Sequence, residues 1–436
     1  MGIGKQAVFI STHGSTGDVA FLSRIAQGFL RQGYDIRLLL PPYYLQQTRP
    51  VLESMGLLSH AAALFQSAPD ITVNELRIRG IEAYVRLVGE RDAIQFIVGD
   101  ESCMGLILLA RGASIPYFQA SMMPYVPTRS FVVARPFPLY QKFGWINALR
   151  WNRIQKQGAH RFTLDTLNLL EKHLPKLAVK WLAIVGREHV SPKFFDSYYR
   201  NEVNHLVSVN PAILPRPPDW GENVHCLAYT QWDTSTLQPT PELERFVLNG
   251  KPPIFLGFGS HRNIRFSGPE GKKLLRELAG AAARLGERLV FHASDTAWDE
   301  AARGGDEPPG NVFCVGDVSH SWLFPRCSLI ACHGGYGTIH TALKSHKPLV
   351  IYPWITDQFL WAARLAQLGA AAPYRTLYRA LSADAFSRDL VWIREHPSVA
   401  LRARELGQVL AKEDNPVNHV TTIEETLARQ APEIFN

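Results

Sequence analysis

An apolar run that ends in a glycine-rich turn and leads into an amphipathic helix opens each half of this 436-residue chain, and that repeated grammar restricts its fold most. The first instance runs from Gln6 to Thr12, through the turn "GSTGDV" at Gly14 to Val19, into a periodic segment. Leu22, Ile25, Ala26, Phe29 and Leu30 there share one helical face, and Gly33 follows as a stop signal. β-like runs recur at Ile36 to Leu40, Ile94 to Val98 and Ile115 to Gln119. The pattern restarts near residue 250 with "PPIFLGFGS", then a helix through Leu274, Leu275, Leu278, Ala282 and Leu285. Strands are predicted at Leu289 to His292, Val312 to Val315, Leu329 to Cys332 and Leu349 to Tyr352. Strand and helix in alternation predict parallel sheets covered on both faces. The fold class is therefore α/β, with two doubly wound, Rossmann-like domains facing across a cleft. A proline-rich loop (Pro211, Pro215, Pro217, Pro218) and a linker near Pro239 and Pro241 place the domains at about 1–240 and 241–415, with a tail over 416–436. Ligands in such sheets bind beyond the carboxyl ends of the strands.

One such end is "LIACHGGYGT", Leu329 to Thr338. Cys332 closes a β run, and a helix is predicted to open at Thr338. A turn of this kind aims unpaired backbone N–H groups and the positive end of the helix dipole at one point, and glycine lets an anion approach the backbone closely. The residues predict a diphosphate cradle, with His333 and Thr338 supplying further donors.

A hydrophobic content of 46% with only 19% charged residues supports packed cores and excludes a disordered chain. The five cysteines lack CxxC spacing, Met1 leads directly into a β-like run, and no apolar stretch is long enough to span a bilayer. These features predict reduced thiols and a cytoplasmic protein. The net charge of +7 is concentrated between Ser121 and Leu164, a segment without Asp or Glu that carries seven Arg or Lys. Tyr125, Phe131, Phe137, Tyr140, Phe143, Trp145 and Trp151 are interleaved with them. A solvated face over an ordinary core and a peripheral membrane contact are both compatible with that pattern. No nucleic-acid motif accompanies the charge.

The run Asn311 to Gln358, "NVFCVGDVSHSWLFPRCSLIACHGGYGTIHTALKSHKPLVIYPWITDQ", resembles the donor-binding signature of the family 1 glycosyltransferases. The likeness is to the microbial branch acting on sterols, glycolipids and antibiotic aglycones. It includes the H-x-G-x-G-T core, the "LFPRC" lead-in and the close from Pro353 to Trp361, and extends to "GFGS" at Gly257 to Ser260 and to "GSTGDV". The resemblance implies a GT-B enzyme that moves a sugar, with inversion, from a UDP- or dTDP-sugar to a hydroxyl of a large apolar acceptor. It also implies a C-terminal tail packed back on the first domain. His333, Gly334, Gly335, Gly337 and Thr338 would hold the diphosphate, with Gly259 and Ser260 facing them. Asp357 and Gln358 would bind sugar hydroxyls, a pairing that supplies both hydrogen-bond polarities. Asp18 matches the general base, with His13 as second candidate. Asp100 matches an acid that orients the base in plant relatives, and Asp100, Phe131 and Trp145 are expected to line the acceptor site.

The chain also departs from the plant pattern. Asp317, flanked by Val318, stands where plant enzymes stack tryptophan on uracil, and Thr341 replaces their ribose-binding glutamate. Cys332, His333, His340 and His346 match no zinc spacing, and no Asp-x-Asp occurs. The expectation is a reaction without metal or cofactor beyond the nucleotide sugar. Two rivals differ in class. A nucleotide-sugar epimerase would turn over the donor alone, and a silent auxiliary subunit would tolerate loss of Asp18.

Overall fold

The computed structural model describes residues 6–11, 16–65, 73–126, 128, 130–131, 167–229, 234, 237–259, 266, 268–292, 308–413 and 417–432. His13, Trp145, Ser260 and most of the basic segment 121–164 lie outside them. The first sheet contains β1 (Gln6–Ile10), β2 (Ile36–Leu40), β3 (Ala61–Ala63), β4 (Ile94–Asp100), β5 (Tyr117–Ser121), β6 (Asn204–Ser208) and β7 (Val224–Leu227), in the order β3-β2-β1-β4-β5-β6-β7. The second contains β8 (Ile254–Gly257), β9 (Leu289–His292), β10 (Val312–Val315), β11 (Leu329–Cys332) and β12 (Leu349–Ile351), in the order β10-β9-β8-β11-β12. All these pairings are parallel.

The strands are buried on both faces because alternate side chains enter different cores. On β1, Ala7 and Phe9 join a cluster that runs through both lobes, whereas Val8 and Ile10 join one confined to the first lobe. On β11, Ile330 and Cys332 join the shared cluster, whereas Leu329 and Ala331 enter a core of the second lobe. The helix Thr16–Arg31 lays Leu22, Ile25, Ala26 and Phe29 on the shared cluster. It ends where the Tyr34 N–H bonds back to the Phe29 carbonyl and the Gly33 N–H to that of Leu30.

Two contacts fix the frame around the cleft. The helix Val417–Gln430 packs on Thr16–Arg31 and β7, with the His419 ring edge-on to Phe21 and its Nε2 2.8 Å from the Ala228 carbonyl oxygen. The Tyr34 hydroxyl donates to Glu424 at 2.6 Å, and Asn204 and Gln430 exchange amide bonds. In the second lobe, the helix Tyr336–Lys344 packs on the helix Ser398–Glu413. A Cβ at Gly407 would lie 2.0 Å from the Leu343 carbonyl oxygen, so only glycine permits this approach. Gly407→Ala is expected to destabilise the chain by about 1–3 kcal/mol through overpacking, read as a lower denaturant midpoint with an unchanged slope.

Candidate active site

In each sheet the strand order reverses beside the central strand, between β1 and β4 in the first and between β8 and β11 in the second. In open α/β sheets, ligands bind in the crevice that the loops from such strand ends surround. The residues singled out in the sequence that the structure describes at strand ends fall largely on those loops.

In the first lobe, Asp18 lies in the first turn of Thr16–Arg31 and is buried at 8% exposure. The positive end of the helix favours a carboxylate there. Asp100 is the last residue of β4 and is also buried. The Cys103 thiol lies 3.6 Å from Asp100 Oδ1 and 3.3 Å from the Ile10 carbonyl oxygen. Between them sits Glu101, which sequence reasoning missed. Burial, followed by the charges of Asp18 and Asp100, raises the Glu101 carboxyl well above its ordinary range. The chain leaves β4 at Asp100 and enters a 3₁₀ turn, Glu101–Cys103, which interrupts the alternation that would point neighbours apart. Tyr44 is pushed up to about 12 by burial, then by Asp18, Tyr43 and Asp100. The Tyr125 hydroxyl is raised by burial, then by Glu101, Asp357 and Asp18. Three acids and two phenols therefore share this side of the cleft. Phe131 is half-buried, its ring edge-on to Trp220 at 5.9 Å.

The second lobe supplies the opposite wall. β11 ends at Cys332, and the helix opens at Tyr336 with Gly335 as its cap, two residues before the expected start at Thr338. Thr338 is thus the third helical residue, and the N–H groups of its first turn have no partners inside the helix. Gly334 takes φ +94°, and a Cβ there would fall 2.8 Å from Ile351 Cγ2, so the turn requires glycine. The His333 ring lies across two bare backbones: a Cβ on Gly259 would meet its Cε1 at 2.9 Å, and one on Gly335 its Nε2 at 2.5 Å. The loops after β8 and β11 therefore touch, through Gly259 and the His333 ring. Positions 333, 335, 337 and 338 are part-exposed, whereas Gly334 and Tyr336 are buried. A Cβ on Gly337 would lie 3.0 Å from the Tyr229 hydroxyl and 4.0 Å from Met122 Cε, so the turn faces the first lobe.

Asp357 and Gln358 begin the helix Gln358–Gln367. Asp357 Oδ1 accepts from the Thr356 hydroxyl at 2.9 Å, and Oδ2 from Trp361 Nε1 at 2.8 Å. Burial nevertheless raises its carboxyl to about 6, against those two hydrogen bonds and with a smaller push from Asp18. Gln358 Oε1 accepts the N–H groups of Trp354 and Ile355 at 2.8 and 3.1 Å, so its carbonyl end is committed to the loop. Thr356 adopts φ +40°, an unusual conformation for a β-branched residue that is held by this network.

Other sequence candidates fall elsewhere. The Val318 side chain is buried in the shared core, which leaves only its main chain for a ligand. The Thr341 hydroxyl donates to the Gly337 carbonyl of its own helix at 2.8 Å, which occupies its hydrogen. His340 is buried against Tyr229, and burial pushes it down to about 3, so it is neutral. The five cysteines are free thiols, and no helix among the described residues is long and apolar enough to cross a membrane.

The arrangement has counterparts among known proteins. The O-mycaminosyltylonolide 6-deoxyallosyltransferase of Streptomyces fradiae is 34% identical over 223 residues, which are 51% of this chain and 49% of that protein. Sterol 3-beta-glucosyltransferase UGT80B1 of Arabidopsis thaliana is 27% identical over 342 residues, 78% of this chain and 51% of its own. The chain thus spans about half the length of these curated relatives. The glycotransferase of kitacinnamycin superposes with a TM-score of 0.64 at 17% identity, over 97% of this chain and 98% of the other. VinC in complex with dTDP does so with 0.59 at 15%, over 98% and 100%. No family model matches the chain.

The chain is similar to these glycosyltransferases in sequence and in fold. Its two facing sheets form the GT-B fold. In this chain the helix terminus and the His333 ring lie side by side, and Gly335 sets their spacing. Its φ of −63° suits alanine, so Gly335→Ala acts chiefly by displacing the His333 ring. The substitution is expected to weaken nucleoside diphosphate binding at least about tenfold in calorimetry while lowering stability little.

Proposed function

We propose that this chain is a glycosyltransferase that moves a sugar from a nucleoside diphosphate to a hydroxyl of an apolar acceptor, with inversion and without a metal ion. The observation that carries the reading is the opposition of two walls. A buried carboxylate, Asp18, faces an anion-binding helix terminus and a sugar-binding Asp357, and is close enough to act electrostatically on Asp357. Asp18 takes the acceptor proton as the hydroxyl oxygen bonds to the anomeric carbon. The bond from that carbon to the diphosphate oxygen breaks, and its electron pair leaves with the diphosphate. The amides at the start of Tyr336–Lys344 and the His333 ring meet the growing negative charge. Asp357 accepts from sugar hydroxyls. The absence of Asp-x-Asp from the sequence supports charge stabilisation by the helix and histidine instead of a cation clamp.

The relatives named for a sterol and for O-mycaminosyltylonolide support a large acceptor, and the nearby neighbour bound to dTDP supports a nucleoside diphosphate donor. Tyr44 and Tyr125 give the first-lobe wall an aromatic surface beside Asp18.

Transfer is tested by incubating the protein with UDP- and dTDP-sugars, with and without a sterol or macrolide alcohol. Nucleoside diphosphate release that depends on the acceptor supports the reading, and donor turnover without acceptor contradicts it. Asp18→Asn is expected to lower kcat at least about 100-fold, the usual scale of a general base, with little change in donor KM. Donor-sugar affinity should also fall as pH drops through about 6, where Asp357 gains a proton and ceases to be a pure acceptor. Asp357→Asn should abolish that inflection.

A further inference from the structure

The acid cluster in the first lobe holds more carboxyl groups than one base requires, and Glu101 is the one with both carboxyl oxygens buried and unpartnered. Both its carboxyl oxygens are closed off from solvent, and neither finds a hydrogen-bond donor. Its immediate polar neighbours are Asp18 and Ser121. The Ser121 hydroxyl gives its only hydrogen to the Met123 carbonyl at 2.6 Å and accepts the Met123 N–H at 3.1 Å. Asp18, as a carboxylate, can only accept. An ionised Glu101 would therefore be buried among acceptors, which is strongly disfavoured.

The groups facing this pair come from every element around it. Asp100 stands at the end of β4, Tyr44 follows β2, Tyr125 follows β5, Tyr199 lies on the helix Pro192–Asn201, and Asp357 reaches across the cleft. Among the described groups acting on Glu101 there is no cation. Two adjacent carboxyls in such surroundings hold one proton between them.

We propose that Glu101 is a neutral carboxylic acid whose O–H donates to Asp18, positioning that carboxylate and setting its proton affinity. The consequence for catalysis rests on Asp18 being the base of the proposed transfer, whereas the proton on Glu101 belongs to the resting protein. Donation from a neutral acid keeps Asp18 ionised beside Asp100, so one of its oxygens is steadied while the other receives the acceptor proton. Glu101 keeps its own proton throughout. The pair gains one proton per attack and returns it to solvent after product leaves.

Infrared difference spectra of wild type minus Glu101→Gln test the proton directly. At pH 8 Asp357, at about 6, is ionised. The difference should show a carboxylic-acid C=O stretch from Glu101, and its absence would overturn the proposal. Activity tests the positioning role. Glu101→Gln, whose amide also donates, should retain at least about tenfold more kcat/KM than Glu101→Leu, which cannot donate. In the leucine variant the acid limb of the pH profile should move up by about one pH unit, because Asp18 loses a donor to its charged form. Equal losses in the two variants, or an acid limb that stays in place, would contradict it. Where Glu101→Leu does not fold, the infrared band and the glutamine profile decide. A protein that turns over no donor with any acceptor sinks the transfer reading, yet leaves the infrared result to stand or fall by itself.

Discussion

The ring of His333 resting on the backbones of Gly259 and Gly335 is the contact on which the site depends. It joins the loops after β8 and β11, the two strands that flank the switch point of the second sheet. The ring occupies the space that side chains at 259 and 335 would take, so three residue choices are tied to one geometry. The same glycines leave the helix terminus bare, so the backbone amides there are open to a close approach, the arrangement that suits an anion. A side chain at either position would move the ring, close the approach to the amides, or both.

The helix behind that terminus is anchored across the lobes. Tyr336, its first residue, is buried and accepts a hydrogen bond from the Asn210 N–H at 3.3 Å. Its ring lies 4.6 Å from that of Trp361, whose Nε1 donates to Asp357. Arg364, one turn along from Trp361, donates to the Ile213 carbonyl at 2.6 Å. One connected set of contacts thus links the end of the first sheet to the turn after β11 and to Asp357. The charge of Asp18 is felt by Asp357 because this frame holds the lobes face to face.

Much of this was legible in the sequence, for a physical reason. Parallel strands buried on both faces read as apolar runs, and a glycine cluster after such a run has few backbone explanations, so β1, β8 and β11 and their turns stood out. β6 did not, because it begins with Asn204 and His205. Both are buried only because Gln430 and the Tyr199 carbonyl satisfy them from elsewhere in the chain. Asp18 and Asp357 carried motif signals, but Glu101 became visible only once folding placed it against Asp18. The same holds for Gln358, whose carbonyl is committed to the loop, and for Thr341, whose hydroxyl is turned onto its own helix. Local pattern reports which groups are present, whereas tertiary partners decide which of their atoms remain available.

The most direct test of the central claim is a crystal structure with a nucleoside diphosphate bound. The account predicts phosphate oxygens within hydrogen-bond distance of the main-chain N–H groups between residues 335 and 338 and of the His333 ring. A diphosphate seated elsewhere, with the mouth of that helix vacant, would contradict it.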